Sequence, residues 1–397
     1  MTASTSATPG SAKPRHNLLY DPKVRGILFQ VALILGLIFL FWEIAHNVAI
    51  NLARLNVASG FGFLESRAGF DMAQTLIPYT NDSTYGRAIL TGFLNTLLVA
   101  VVGIVLATIV GFLVGIAQLS PNWLLRQVTR VYIELFRNVP LLVSLLFWYK
   151  GVLAVLPAPR QGYELGFGMI LSNRGLSVPR GIAGDLFWLT PLAFALGAAA
   201  LVGIARWNRQ RQLATGQRIG MLLPSLGLLL GLPLVVFLLT GAPLSFEYPE
   251  LKGFNFAGGT TIIPELLALE LGLVIYTSAF IAETVRAGIQ AISKGQSEAA
   301  FALGLRPGVT TRLVIVPQAM RVIIPPLTSQ YLNLTKNSSL ALAIGYPDLV
   351  AVAGTVLNQS GQALEVIGIV MLTYLTLSLL TSAFMNWFNA RVALVER

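Results

Sequence analysis

The 397-residue chain contains no cysteine. Disulfides, thiolate metal sites and cysteine nucleophiles are excluded at once. Histidine is almost absent too: His16 and His46 are the two that occur, and neither has a partner at metal-ligand spacing. No Gly-Lys pair occurs anywhere, so the chain lacks the phosphate-binding loop G-x-x-x-x-G-K-S/T that ATP hydrolysis of that type requires. The G-x-S-x-G elbow of serine hydrolases is missing as well. These absences predict a protein that is not an enzyme, with no metal or cofactor of its own. Charge is scarce, at 11% of residues, against roughly 25% in an ordinary soluble domain.

What fills the chain is apolar: 55% of residues are hydrophobic, and they come in runs of about twenty, the length that crosses a hydrocarbon core of about 30 Å. Eight runs lie at 27–50, 91–118, 139–157, 186–204, 219–240, 264–285, 322–345 and 364–388. Backbone groups inside a bilayer find no water, so only helices or closed barrels can span it. Runs of this length without strict alternation exclude barrel strands. The expected fold class is an all-α integral membrane protein of about eight transmembrane helices. The first run is too long for a signal-peptide core and has no clear small-residue cleavage site, which predicts a retained span.

The net charge of +10 is not a nucleic-acid footprint, since the basic residues sit in short loops rather than on one soluble face. With the amino terminus inside, the inner segments collect 18 of the 27 Lys and Arg residues and the outer segments seven. That bias follows the positive-inside rule and predicts both termini cytoplasmic. The loop 158–185, with Arg160, Arg174 and Arg180, runs against it.

Segment 286–321 is unlike an ordinary linker. Ser297 to Leu303 favours helix, Gly304 is placed to end it in a left-handed turn, and Pro307 suits the first turn of a second helix. Pro317 is expected to stop or kink that second helix. A helix–turn–helix of this kind, with Ala299, Ala300 and Ala302 permitting close approach and Phe301, Leu303 and Leu305 as apolar anchors, can dock in a groove on a soluble partner. An amphipathic helix lying on the lipid surface is the other reading of the same residues.

Glu298-Ala299-Ala300, then three residues, Gly304, then nine residues and Val314-Ile315-Val316-Pro317 resemble the EAA loop of ABC importer permeases, E-A-A-x₃-G-x₉-I-x-L-P, with Val in place of Ile and Leu. Tyr276 to Ile289, Lys294-Gly295-Gln296, Pro325-Pro326-Leu327 and Leu334 to Leu340 are similar to the polar amino-acid uptake permeases, as is Tyr132 to Leu142, where Asn138-Val139 departs from the usual Gly-Thr. The enlarged chain resembles the Q-type permease subunit of general L-amino-acid ABC transporters or its relatives for acidic amino acids and their amides. The resemblance implies a five-helix type I importer core in 88–157 and 264–388, with the coupling loop 286–321 gripped by ATPase subunits through Glu298, Ala299, Ala300, Gly304 and Pro317. Around that core it leaves a tail at 1–25, an extra span and periplasmic loop at 26–87, an inserted region with two spans at 158–263, and a cytoplasmic tail at 389–397. It also implies a second permease subunit, a periplasmic amino-acid-binding protein, an L-amino acid substrate, ATP used by the partner, and a bacterial inner-membrane location.

Polar residues inside spans are the remaining signal. Lys336 lies in a run interrupted by Asn333, Thr335, Asn337, Ser338 and Ser339, and intramembrane ionisable groups mark function by default. Asn333, Lys336, Asn337 and Ser338, together with Asn95-Thr96 and Thr277-Ser278, are the candidates for a translocation path. Ser and Thr also bond helices together in any bundle, and Lys336 could instead reach a helix end or a buried carboxylate. Glu43, Glu265, Glu270, Glu283 and Glu365 are expected near span ends. Gly111-x-x-x-Gly115 and Gly227-x-x-x-Gly231 both permit close helix packing. An ion-driven secondary transporter is the rival class; it predicts internal repeats, and none is convincing.

Overall fold

A computed structural model describes residues 22–54, 60–217 and 219–392. Residues 1–21 of the expected disordered tail lie outside the described residues; 22–25 already belong to the first helix. The helices are α1 (Pro22–Arg54), α2 (Tyr85–Gln118), α3 (Trp123–Asn138), α4 (Leu141–Leu146), α5 (Leu189–Thr215), α6 (Leu222–Leu226), α7 (Leu232–Leu239), α8 (Pro264–Gln290), α9 (Lys294–Ala302), α10 (Pro307–Thr310), α11 (Val316–Asn337), α12 (Leu349–Ser360) and α13 (Ala363–Val392). Six stretches are straight, long and apolar enough to cross a membrane, and two bent pairs bring the number to eight. These correspond to the eight apolar runs.

The two bends have local causes. Between α3 and α4 the axis turns by 108°, where Val139, the residue before Pro140, is forced into extended backbone. The second bend, of 55°, follows Gly345 in left-handed backbone and Pro347, and Asp348 starts α12 by accepting a 2.8 Å hydrogen bond from the Ala351 amide.

Three apolar clusters join the spans. One unites α2, α4 and α8 around Leu145, Leu269, Leu273 and Tyr346. A second holds the start of α2 and segment 60–84 against α12 through Tyr85, Ile89, Val352 and Val356. The third gathers Ala107, Ile281, Val285, Ile323 and Ile324 from α2, α8 and α11. Helix α2 begins at Tyr85, earlier than the apolar run suggests, because Tyr85, Ala88 and Ile89 are buried there.

Helix α8 is the axis, and glycine is what brings its neighbours close. A Cβ on Gly111 would lie 2.6 Å from Ile281 Cβ, and one on Gly115 would lie 2.7 Å from the Ala282 carbonyl oxygen. The Gly111-x-x-x-Gly115 spacing is therefore a packing seam. Gly227 and Gly231 are not its counterpart: no side chain lies near either. There it is Gly197 of α5 that lets the neighbouring backbone approach, with the Leu228 carbonyl 2.1 Å from its would-be Cβ.

Two features go beyond the eight-helix expectation. The loops at 158–185 and 241–263 are not without regular structure; they form eight short strands, β1 (Tyr163–Gly166), β2 (Met169–Ser172), β3 (Gly175–Val178), β4 (Arg180–Ala183), β5 (Leu244–Glu247), β6 (Glu250–Lys252), β7 (Asn255–Ala257) and β8 (Thr260–Ile262). Strands β1-β2-β3-β8 make an antiparallel sheet, with β4-β5 and β6-β7 as separate pairs. Three of the pairings are local hairpins, but β3-β8 and β4-β5 join segments far apart in sequence, which no local pattern announces. Nor does Pro317 stop its helix. The chain stays helical from Pro307 through α11, and the missing Pro317 amide is absorbed by a widened π turn at Thr311–Ile315.

Replacing Gly115 by Val should drive α8 off α2 and destabilise the protein by about 1–3 kcal/mol, whereas Gly231→Ala should be near neutral. Thermal unfolding of both variants in detergent checks the contrast.

Candidate functional site

Helix α8 runs from the strand end of the molecule, where β8 leads into Pro264, to the α9 end. At 3.6 residues per turn, Glu265, Tyr276, Phe280, Glu283 and Gln290 fall within an arc of about 80° on this helix. A cavity adjoins that face at each of three levels.

The middle cavity, about 260 Å³, is lined by Tyr276, Thr277 and Phe280 of α8 and by Gln330, Asn333 and Asn337 of α11. Ser329, Asn333 and Lys336 are exposed on the same helix, at spacings that set them along one side of α11. A spanning helix cannot turn such a row to lipid cheaply, since intramembrane charges face a bundle interior or water. Lys336 reaches no carboxylate among the described residues.

Toward the α9 end lies a cavity of about 410 Å³ between α3 and α8. Arg126, Arg130, Arg137 and Arg286 line it with only Glu134 and Glu283 opposite, which leaves a positive field. Arg130 pairs with Glu134 at 2.8 Å, and Glu283 accepts from Arg286 Nε at 2.9 Å. The Arg137 guanidinium sits 5.5 Å from the centre of the Phe280 ring, so this cavity adjoins the middle one. A third cavity lies at the strand end, around Glu265. Between it and the middle cavity the face of α8 is covered: a Cβ on Gly272 would meet Leu145 Cδ2 of α4 at 2.5 Å.

The candidate path residues divide. Thr277, Asn333 and Asn337 meet in the middle cavity, with Lys336 beside it. Ser278 is buried against α3 and shares a 2.6 Å hydrogen bond with the Tyr132 hydroxyl. Ser338 is buried and donates to the Thr335 carbonyl at 2.7 Å. Asn95 and Thr96 lie elsewhere, fully buried at the second bend. Asn95 Nδ2 donates to the Gln74 and Pro347 carbonyls at 3.1 and 2.9 Å, and Thr96 Oγ1 accepts from the Leu349 amide at 3.0 Å. They satisfy backbone that the bend leaves without helical partners.

The loop residues are held apart from all this. Ser293 caps α9 through the Gly295 amide, and Gly304, at φ +76°, closes it. The Leu305 amide donates to the Ala300 carbonyl and the Gly304 amide to that of Phe301, a Schellman turn. Ala300 is buried, while Glu298 and Ala299 are exposed. Gln318 of α11 donates to Gln296 of α9 at 3.2 Å. The knob is thus pinned to α11, with Pro317 at its root, yet Phe301 is 50% and Leu303 81% exposed.

Several site residues escape a sequence search. Gln330 could have been found from its spacing to Asn333 and Asn337. Tyr132 and Arg137 could not, because α3 reaches α8 only through the bend. Glu270 lies within two turns of the start of α8 but is not solvated there; both its carboxyl oxygens are enclosed, beside Gly103, with no hydrogen-bond partner among the described residues.

Comparison with known proteins identifies relatives along the whole chain. Residues 218–394 match the family described as binding-protein-dependent transport system inner membrane component. The general L-amino acid transport system permease protein AapQ of Rhizobium johnstonii is 55% identical over 99% of this chain and 98% of its own length. The putative amino-acid ABC transporter permease protein YhdX of Escherichia coli is 51% identical, over 95% and 96%. The glutamate/glutamine/aspartate/asparagine transport system permease protein BztB of Rhodobacter capsulatus is 44% identical, over 96% of each.

The absence of native cysteine allows a direct test of which faces are wet. Asn333→Cys and Lys336→Cys should react with a charged, membrane-impermeant maleimide in opened membranes, and Asn95→Cys and Ser338→Cys should not; mass spectrometry reads the labelled fraction.

Proposed function

The chain belongs to the family of amino-acid ABC transporter permeases, and from that premise we propose that it is one membrane subunit of an ATP-driven importer of L-amino acids. The observation that carries the drive mechanism is the α9 knob. Its apolar anchors Phe301 and Leu303 are exposed while its base is bonded to a spanning helix. An apolar knob on a rigid stem is shaped for a groove on another protein, and a chain without a phosphate-binding loop needs another polypeptide to hydrolyse ATP.

In this reading two ATPase subunits hold the knobs, one through Glu298, Ala299, Ala300 and Gly304 of this chain. Closure of the ATPases on ATP moves α9, and Gln296–Gln318 passes the movement to α11 and so to the wall of the middle cavity. Coupling of this sort requires that the partners make different contacts in the two states. The exposed polar row of α11 faces a second permease subunit across the pathway, where Asn333, Lys336 and Asn337 meet the substrate. The α9 end is cytoplasmic, both termini lie on that side of the inner membrane, and a periplasmic binding protein delivers substrate at the strand end. No cofactor resides on this chain. Relatives that serve general L-amino acids and the acidic amino acids with their amides support a broad or polar specificity, and their kinship with ABC permeases favours an ATP-driven importer over a secondary transporter.

Gly304→Asp tests the docking. Nothing lies within 4 Å of the position its Cβ would take, and Asp is among the side chains that visit the left-handed backbone Gly304 holds, at a cost of about 1–2 kcal/mol confined to the turn, so the variant should still insert. It should lose copurification with its ATPase subunit and lose uptake; undiminished copurification would count against the knob as the point of attachment.

A further inference from the structure

The inserted region 158–263 has no part in the five-helix core, yet it supplies one wall of the strand-end cavity. That cavity, about 470 Å³, is lined by Tyr149, Lys150, Asn173, Arg174 and Glu265, with Ile263 and Pro264 at its floor. Its size lies within the roughly 300–1,000 Å³ of small-molecule sites.

Each polar group is placed by a distinct local device. Ser172 pairs with Gly175, which leaves Asn173-Arg174 as a two-residue hairpin tip. The hairpin cannot drift from α8, because Leu176 pairs with Ile262, two residues before Pro264. Gly175 is needed there, since a Cβ would come within 2.0 Å of the Ile262 carbonyl. The Asn173 amide is tied to the Pro157 carbonyl at 3.0 Å. Lys150 comes from the π segment that extends α4, Phe147–Leu153, a helix irregularity often found at functional sites. Its ammonium lies 4.9 Å from the centre of the Tyr149 ring. Tyr149 donates to one oxygen of Glu265 at 2.8 Å.

Three groups in the cavity are unspent. The Asn173 side-chain oxygen is enclosed without a hydrogen-bond partner, and neither Lys150 nor Arg174 has a carboxylate partner among the described residues. Two cations with one anion and one free carbonyl complement a ligand bearing two carboxylates and one ammonium group. A ligand with two ammonium groups would meet like charge.

We propose that this cavity is a first station for dicarboxylic amino acids, where Arg174 and Lys150 take the two carboxylates and Glu265 and Asn173 take the ammonium group. It rests on the importer reading for its position on the entry side. It lies on the same arc of α8 as the middle cavity, separated from it by Leu145 on Gly272, so substrate waits here until that contact opens. The inserted region thereby gives the enlarged permease a charge filter that a five-helix core alone would lack.

Equilibrium binding of radiolabelled L-glutamate, L-glutamine and L-lysine to the purified transporter, with the binding protein omitted, tests the station. Arg174→Ala should weaken L-glutamate binding about ten-fold, the loss of one charge-assisted contact, and change L-glutamine far less; Arg174→Lys should restore most of it. Glu265→Gln should weaken both ligands. L-lysine should bind poorly to the wild type and better to Arg174→Ala. Wild type without saturable L-glutamate binding, or Arg174→Ala and Lys150→Ala with unchanged affinity, would overturn the station. So would variants that lose uptake but keep L-glutamate affinity, because the surface would then be a contact for the binding protein. A wild-type transporter that takes up no amino acid in vesicles would instead sink the importer reading itself.

Discussion

The close approach of α2 to α8 at Gly111 and Gly115 sets where almost everything else can sit. With no side chain between them, the two helices bury Ile281 and Val285 in a shared seam, and that seam fixes the rotation of α8 about its own axis. The opposite side of α8 is left for α4, met at Gly272, while α11 packs beside the seam, met at Gly288 against Ile323. Once α8 cannot rotate, the row from Glu265 to Gln290 is committed to one direction, and the three cavities follow along it.

Bilayers forbid unpaired backbone, and the two broken spans show how the chain meets that demand. At the second bend Asn95 and Thr96 of α2, together with the Asp348 carboxylate, occupy the amides and carbonyls that the break exposes. Polar residues inside the membrane therefore divide into two kinds. Those at the bend are buried and bonded. Asn333 and Lys336, on one side of α11, are exposed, and Lys336 has no carboxylate partner among the described residues. The second kind calls for water or a partner subunit, and a pathway between two permeases supplies both.

Much was legible from the residues because it depends on local order. Apolar run length gave the eight spans, Gly304 announced the turn that ends α9, and the Glu298-Ala299-Ala300 pattern pointed to an importer. The sheet was not legible, since β3 and β8 lie some eighty residues apart in sequence and each strand is only three or four residues long. At Pro317, where a stop or a kink is expected, the stop does not occur, because a π turn at Thr311–Ile315 relieves the clash without a break. Glu270 looked solvated because a run of residues does not show which side of its helix the neighbours enclose, and Asn95-Thr96 looked like path because a sequence does not say which polar groups already have partners.

Membrane residence, helical class and the likeness to importer permeases were thus determined by the sequence by itself, because hydrophobic run length and a short contiguous motif need no neighbours to be read. Which polar groups line a cavity, which brace a bend, and where the inserted region sits were decided only by tertiary structure. The role of a polar side chain in a membrane protein depends on what stands opposite it, and at the strand-end cavity the opposing residues come from an inserted hairpin, a π segment and a helix start that meet only when the chain has folded.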